Sequence, residues 1–203
     1  MDHSKRTKAL LFAAGTVLLI SALAAPVAAH TGHGTLAGGF LSGFSHPVGG
    51  LDHIVAMVAV GLWGAFLGAP SLWLLPVVFP LVMAFAAVLG VLGISVPAVE
   101  TGIALSAVVL GLAVALRLRP PIWLSALLVG VFAIFHGHAH GAELPAATNP
   151  AAYALGFVIA TGLLHLAGMA FGSLTRWPAG VWAVRAGGGI VSLVGLAFLA
   201  GAT

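Results

Sequence analysis

Residues 72–94 read LWLLPVVFPLVMAFAAVLGVLGI, twenty-three residues with no acid, base or amide side chain among them. The hydrocarbon core of a bilayer is crossed by about 20 mostly apolar residues in an α-helix, so this stretch is long enough to span it. Such runs make up most of the chain. The 203 residues carry only seven Lys or Arg and four Asp or Glu, while 61% are hydrophobic and the mean hydropathy is +1.19. A soluble domain of this length would carry roughly 50 charged residues. Disorder is excluded by the same figures, since it needs low hydrophobicity and high charge. The reading is an all-α integral membrane protein.

Outward from 72–94, similar stretches occur at 51–69, 97–116, 121–135, 150–172 and 181–200. The fourth in chain order, 121–135, is the shortest and can continue into the histidine-bearing segment after it. Six spans are therefore expected, joined by short connections carrying Pro or Gly, as at Pro70, Pro97, Pro120-Pro121, Pro150 and Pro178. There is no convincing internal repeat and no second domain. Gly64/Gly68 and Gly168/Gly172 have the small-xxx-small spacing that lets membrane helices approach closely, and Gly187-Gly188-Gly189 serves the same end or allows local bending.

The N-terminus has a different character. Lys5, Arg6 and Lys8 precede an apolar run, 9–25, and then Pro26-Val27-Ala28-Ala29-His30. A basic start, a short apolar core and small residues at the end describe a secretory signal peptide, with residues 1–29 removed and 30–203 forming the transmembrane domain. The other reading is an uncleaved first helix. With the mature N-terminus exported, Arg117, Arg119, Arg176 and Arg185 all fall on the inner side, as the positive-inside rule requires. The chain is expected in a bacterial inner membrane with its mature N-terminus and C-terminus in the periplasm.

Nine His stand beside only eleven charged residues, and they collect in places. His46-Pro47-Val48-Gly49-Gly50-Leu51-Asp52-His53 lies at the outer end of the first span. Pro47 and the two glycines argue against regular helix before Leu51 and for a bent or re-entrant segment, which would fold His46 back toward Asp52 and His53. Asp52 alone would also serve as an N-cap. Phe135-His136-Gly137-His138-Ala139-His140-Gly141-Ala142-Glu143 lies at the outer end of the fourth span. On a helix His136, His140 and Glu143 share one face and His138 points elsewhere; the alternative is a solvated, His-rich loop. Imidazoles with carboxylates suit a borderline divalent cation. Glu100 is expected at the same depth, and charges within lipid usually line a pathway. His165 is either a deeper stepping stone or a histidine bonded to a neighbour. His30 and His33, beside a free α-amino group after cleavage, are a further candidate chelate.

His46 with Asp52-His53, as H-x5-D-H, and Phe135-His136-Gly137 with His140-Gly141 and Glu143, as F-H-G-x-x-H-G-x-E, resemble the motifs of the HupE/UreJ family. Both are complete, in order, and set among spans that match along the whole chain. The resemblance implies a nickel permease serving hydrogenase or urease maturation, with His46, Asp52, His53, His136, His140 and Glu143 handling the ion. His138, Glu100, His165, His30 and His33 are additions from chemistry.

Other classes fare less well. Seven basic residues cannot form a phosphate-binding stripe, so no nucleic-acid partner is expected despite a pI near 10.2. With no Cys there is no thiolate site, and no ATP-binding motif is present. The expected partners are a divalent metal ion and the lipid bilayer, with Ni²⁺ as transported substrate and no organic cofactor. Chemistry alone accepts Co²⁺, Zn²⁺ or Cu²⁺ as well. The alternative function is an intramembrane zinc-dependent hydrolase, in which the same cluster would activate a bound water. A bis-His haem protein is a third.

Overall fold

The structure, a computed structural model, describes residues 36–144 and 149–201. The expected signal peptide, with His30 and His33 behind it, lies outside the described residues. Among the described residues seven α-helices follow one another: α1 Leu36–Gly49, α2 Leu51–Leu67, α3 Ser71–Val91, α4 Val99–Ala115, α5 Ile122–Ala142, α6 Pro150–Gly172 and α7 Pro178–Leu199, with a 3₁₀ turn at Ser173–Arg176 between the last two. Among the described residues there is no strand.

The stretch at 72–94 is helix α3 from Ser71 onward, and its two faces explain its composition. Leu75, Phe79, Met83, Ala86 and Gly90 recur at helical spacing and are buried. Trp73, Val77, Leu81, Phe85 and Val88 recur on the opposite face and are exposed, Phe85 by 77%. A helix that is apolar all round needs apolar surroundings on every side, and here the outward face is left for lipid.

Each of the six expected spans is a helix, but they are unequal. Among the described residues four helices, α3, α5, α6 with its 3₁₀ extension, and α7, are long and apolar enough to cross a membrane; α4, at 17 residues, is shorter. Helix α2 reaches that length only together with α1, from which it is bent by 81°. The bend expected at 46–50 is present. The segment before it, however, is regular helix, correcting the expectation of irregular chain: α1 runs through Pro47 almost to the bend. Pro47 lies in the last turn, where its ring forfeits a single backbone bond. The Gly-rich α1 is held by packing on α6, and tertiary contact overrides weak helix propensity. The fourth span does not stop at 135; α5 continues through the histidines to Ala142.

Helix α2 touches α1, α3, α4, α6 and α7, and the principal pairs are α3 with α5, α4 with α7, and α6 with both α2 and α1. Glycine makes these pairs close. A Cβ on Gly141 would strike the Ala87 carbonyl and one on Gly137 the Met83 carbonyl, both in α3. One on Gly168 would strike the Val58 carbonyl of α2, and one on Gly188 would come within 2.7 Å of the Gly111 carbonyl of α4. Gly172 packs the same way, on Ala65 and Leu62. Gly68 and Gly189 do not pack: a Cβ on either meets nothing within 4 Å. Gly68 ends α2 at φ +83°, a backbone conformation open to glycine.

This contrast is testable within one helix. Gly168→Ala forces α6 off α2 and costs about 1–3 kcal/mol as overpacking. Gly162→Ala, with open space around it, is neutral or gains up to about 1 kcal/mol through helix propensity. Thermal unfolding of the two purified proteins in detergent should fall for the first and hold or rise for the second.

Candidate metal site

The corner between α1 and α2 sets the first half of the site. Gly50 occupies it with φ −105° and ψ 121°, and a Cβ there would come within 2.6 Å of Asp52 Oδ1 and 3.0 Å of His53 Nδ1. The absent side chain lets both groups fold back under the corner. His53 Nδ1–H donates to Asp52 Oδ1 (2.9 Å), which leaves the lone pair on His53 Nε2. That atom is buried and has no partner among the described residues. His46, in the last turn of α1, sets its Nε2 3.2 Å from Glu143 Oε2.

Helix α5 supplies the second half. Gly137 and Gly141 press one face onto α3, which turns the neighbouring His136 and His140 into the bundle, where both are buried. Ser106 of α4 fixes the first ring. Its hydroxyl proton goes to the Ile103 carbonyl (2.6 Å), so its oxygen accepts from His136 Nε2–H (2.9 Å). The lone pair of His136 is thereby placed on Nδ1, which is buried and has no partner among the described residues. Neither nitrogen of His140 has a hydrogen-bond partner among the described residues.

The four rings stand together. Centroids are 4.9 Å apart for His46 and His140, 4.3 Å for His53 and His140, and 5.1 Å for His53 and His136. One donor atom each of His46, His140 and Glu143 lies within 4.8 Å of the other two. Donors about 2.0–2.2 Å from a shared zinc-like ion can be at most roughly 4.4 Å apart. The set is therefore a few tenths of an ångström wider than such a site, and its most exposed member is Glu143.

Two cavities flank the cluster. One, of about 210 Å³, is lined by Asp52 and Glu100 with Ile103, Ala104, Phe198 and Gly201, so the two carboxylates face a common space. The other, of about 190 Å³, is mostly apolar and reaches His140 between α3, α5 and α6, past Pro80, Met83, Tyr153 and Phe157. His138 points away, and its Nε2–H donates to the Ile94 carbonyl (2.9 Å). His165 lies deeper, against Phe79.

Two segments about ninety residues apart thus meet as one cluster, in a chain whose residues 17–198 match the HupE / UreJ protein family. The chain belongs to the HupE/UreJ family. Protein HupE of Rhizobium leguminosarum bv. viciae is 47% identical over 182 residues, covering 90% of this chain and 95% of that protein. No solved structure matches. This HupE/UreJ protein is a multi-pass membrane protein, as its apolar helices indicate.

Beyond the family motifs, the structure brings in residues that the sequence does not single out. Ser106 orients His136. Tyr153 and Phe157 of α6 wall the cluster, their rings 5.9 and 6.3 Å from that of His46, with Phe157 4.4 Å from His140. The one signal for Ser106 is a hydroxyl inside an apolar run, too common in membrane helices to stand out.

Ser106 gives a measurable consequence. Ring ¹⁵N shifts of His136 should report the Nε2–H form in the wild type and a mixture of tautomers in Ser106→Ala. Losing an orienting partner of a ligand typically weakens metal binding about 10–100-fold, so if His136 binds Ni²⁺, calorimetry should show a loss of that order.

Proposed function

We propose that this protein is a permease that brings Ni²⁺ across a bacterial inner membrane for hydrogenase or urease maturation. The observation that carries the reading is the convergence of four imidazoles and two carboxylates from α1, α2 and α5, with buried nitrogens of His53, His136 and His140 lacking a hydrogen-bond partner among the described residues. An unpaired buried polar atom costs about 1–3 kcal/mol, and a cation that takes up the lone pairs recovers it. Nickel rather than another borderline ion is what the family resemblance implies.

In this reading residues 1–29 are an export signal cleaved after Ala29, and both ends of the mature chain lie in the periplasm. The ion arrives at the cavity shared by Asp52 and Glu100, loses part of its water shell there, and is taken over by His46, His53, His136, His140 and Glu143. A Cys-free set of hard and borderline donors holds the ion without trapping it, as conduction demands. No ATP is used; the membrane potential favours cation entry by about 2.3 kcal/mol per charge per 100 mV.

Uptake of radiolabelled Ni²⁺ into cells at low external metal tests the reading. Wild type accumulates the label, and excess cold Ni²⁺ competes better than Co²⁺, Zn²⁺ or Cu²⁺. His46→Ala, Asp52→Ala, His140→Ala and Glu143→Gln each lose uptake while immunoblots show normal protein in the membrane. Full uptake by Asp52→Ala and His140→Ala together would remove these residues from the pathway.

A further inference from the structure

His165 lies about two-thirds of the way along α6, roughly 22 Å from the start of that helix at 1.5 Å per residue. Its side chain is 1% exposed, and neither ring nitrogen has a hydrogen-bond partner among the described residues. The simple explanation for a buried histidine, a bond to a neighbour, is therefore not met. Thr161 stands one turn earlier on the same face. It is fully buried, and its hydroxyl also has no partner among the described residues, although a helical Thr ordinarily has the carbonyl four residues back within reach. Two orphaned polar side chains one turn apart are costly inside a membrane protein, and an ionisable one such as His165 usually marks an ion or proton path.

Their position relative to the outer cluster is defined by a single ring. Phe79 of α3 is fully buried. Its centroid is 5.4 Å from that of His136 and 5.7 Å from that of His165, which it meets at 82°. The close crossing of α2 and α6 holds His165 in place, since Gly61 abuts its backbone so closely that a Cβ would strike the His165 carbonyl.

We propose that His165 and Thr161 form an inner binding station for a borderline divalent cation, separate from the outer cluster and reached past Phe79. This rests on the permease reading and extends it. The station offers one imidazole and one hydroxyl and no carboxylate, so it binds more weakly than the outer set. That order suits passage, which needs several sites that are each easy to leave. The apolar ring against both imidazoles keeps the two stations from merging into one tight site.

The test uses the purified full-length protein with Ni²⁺ itself as probe, by equilibrium dialysis in nanodiscs and by initial uptake rate in proteoliposomes. His165→Asn keeps a polar side chain of smaller size, and Thr161→Val keeps the shape and removes the hydroxyl. The expected result is one fewer Ni²⁺ bound per chain at high metal in His165→Asn, weaker filling of that same equivalent in Thr161→Val, and uptake slowed about tenfold or more in both, with the tighter outer equivalent unchanged. Wild-type stoichiometry and wild-type uptake in both variants would overturn the inner station and leave the permease reading standing. If the wild type moves no divalent metal into liposomes, the permease reading fails, and dialysis alone still decides whether His165 holds an ion.

Discussion

Everything in this bundle depends on helices approaching backbone to backbone. In water two apolar helices associate because burial removes surface from solvent, but lipid tails are as apolar as leucine and that force is lost. What remains is contact, and contact is greatest where a side chain is missing. Gly137 and Gly141 against α3, Gly61 and Gly168 at the α2–α6 crossing, and Gly111 and Gly188 between α4 and α7 supply it. The same glycines have a second effect, because a helix pinned along one stripe has its neighbouring side chains aimed. On α5 each pinning glycine follows a histidine directly, so the packing of α5 and the direction of His136 and His140 are one decision.

Charge is distributed to match. Asp52 and Glu100 lie in the first turns of α2 and α4, and Glu143 caps the end of α5. Arginines take the other end: Arg119 Nη2 donates to the Phe66 carbonyl at 3.3 Å and Arg185 Nε to the Ala115 carbonyl at 2.8 Å. Both satisfy carbonyls left open at helix C-termini, where a cation also complements the helix dipole. Along α2 the fourteen residues from Asp52 to Phe66 correspond to about 21 Å. The acids are therefore gathered at one end of the bundle and the guanidinium groups that order the helix ends at the other.

The helices were legible in the sequence because a run such as 72–94 has one physical reading; no soluble surface can be made of it. The length of α5 was less so, since His136 to His140 reads as polar while the helix treats it as buried lining. Helix α1 was not legible: a Gly-rich segment with Pro47 has no intrinsic reason to be helical and becomes so only against Tyr153 and Gly156 of α6, where Gly43 and Phe40 meet their backbone. The cluster was legible in its members, because clustered imidazoles and carboxylates are rare in so apolar a chain. Its arrangement was not. That Ser106 orients His136, or that Gly50 leaves room for Asp52 and His53, depends on contacts between segments that no spacing along the chain expresses.

The four clustered histidines are not equivalent. His53 is held in one tautomer by Asp52, His136 in one by Ser106, and His46 is tied to Glu143, so three of the rings each have an anchored side. His140, in contact with both His46 and His53, is buried, and among the described residues neither of its nitrogens has a hydrogen-bond partner. A ring without a partner has no preferred tautomer and can offer a lone pair from either side. The least anchored imidazole thus stands at the centre, between a Glu143 side that is open to solvent and a His136 side that is not. A site built only to retain an ion would anchor every ligand, as the partners of retained metals do. In the permease proposed above, anchoring all but the central ring is the arrangement that would let an ion change hands between the His46–Glu143 pair and the buried rings beyond it.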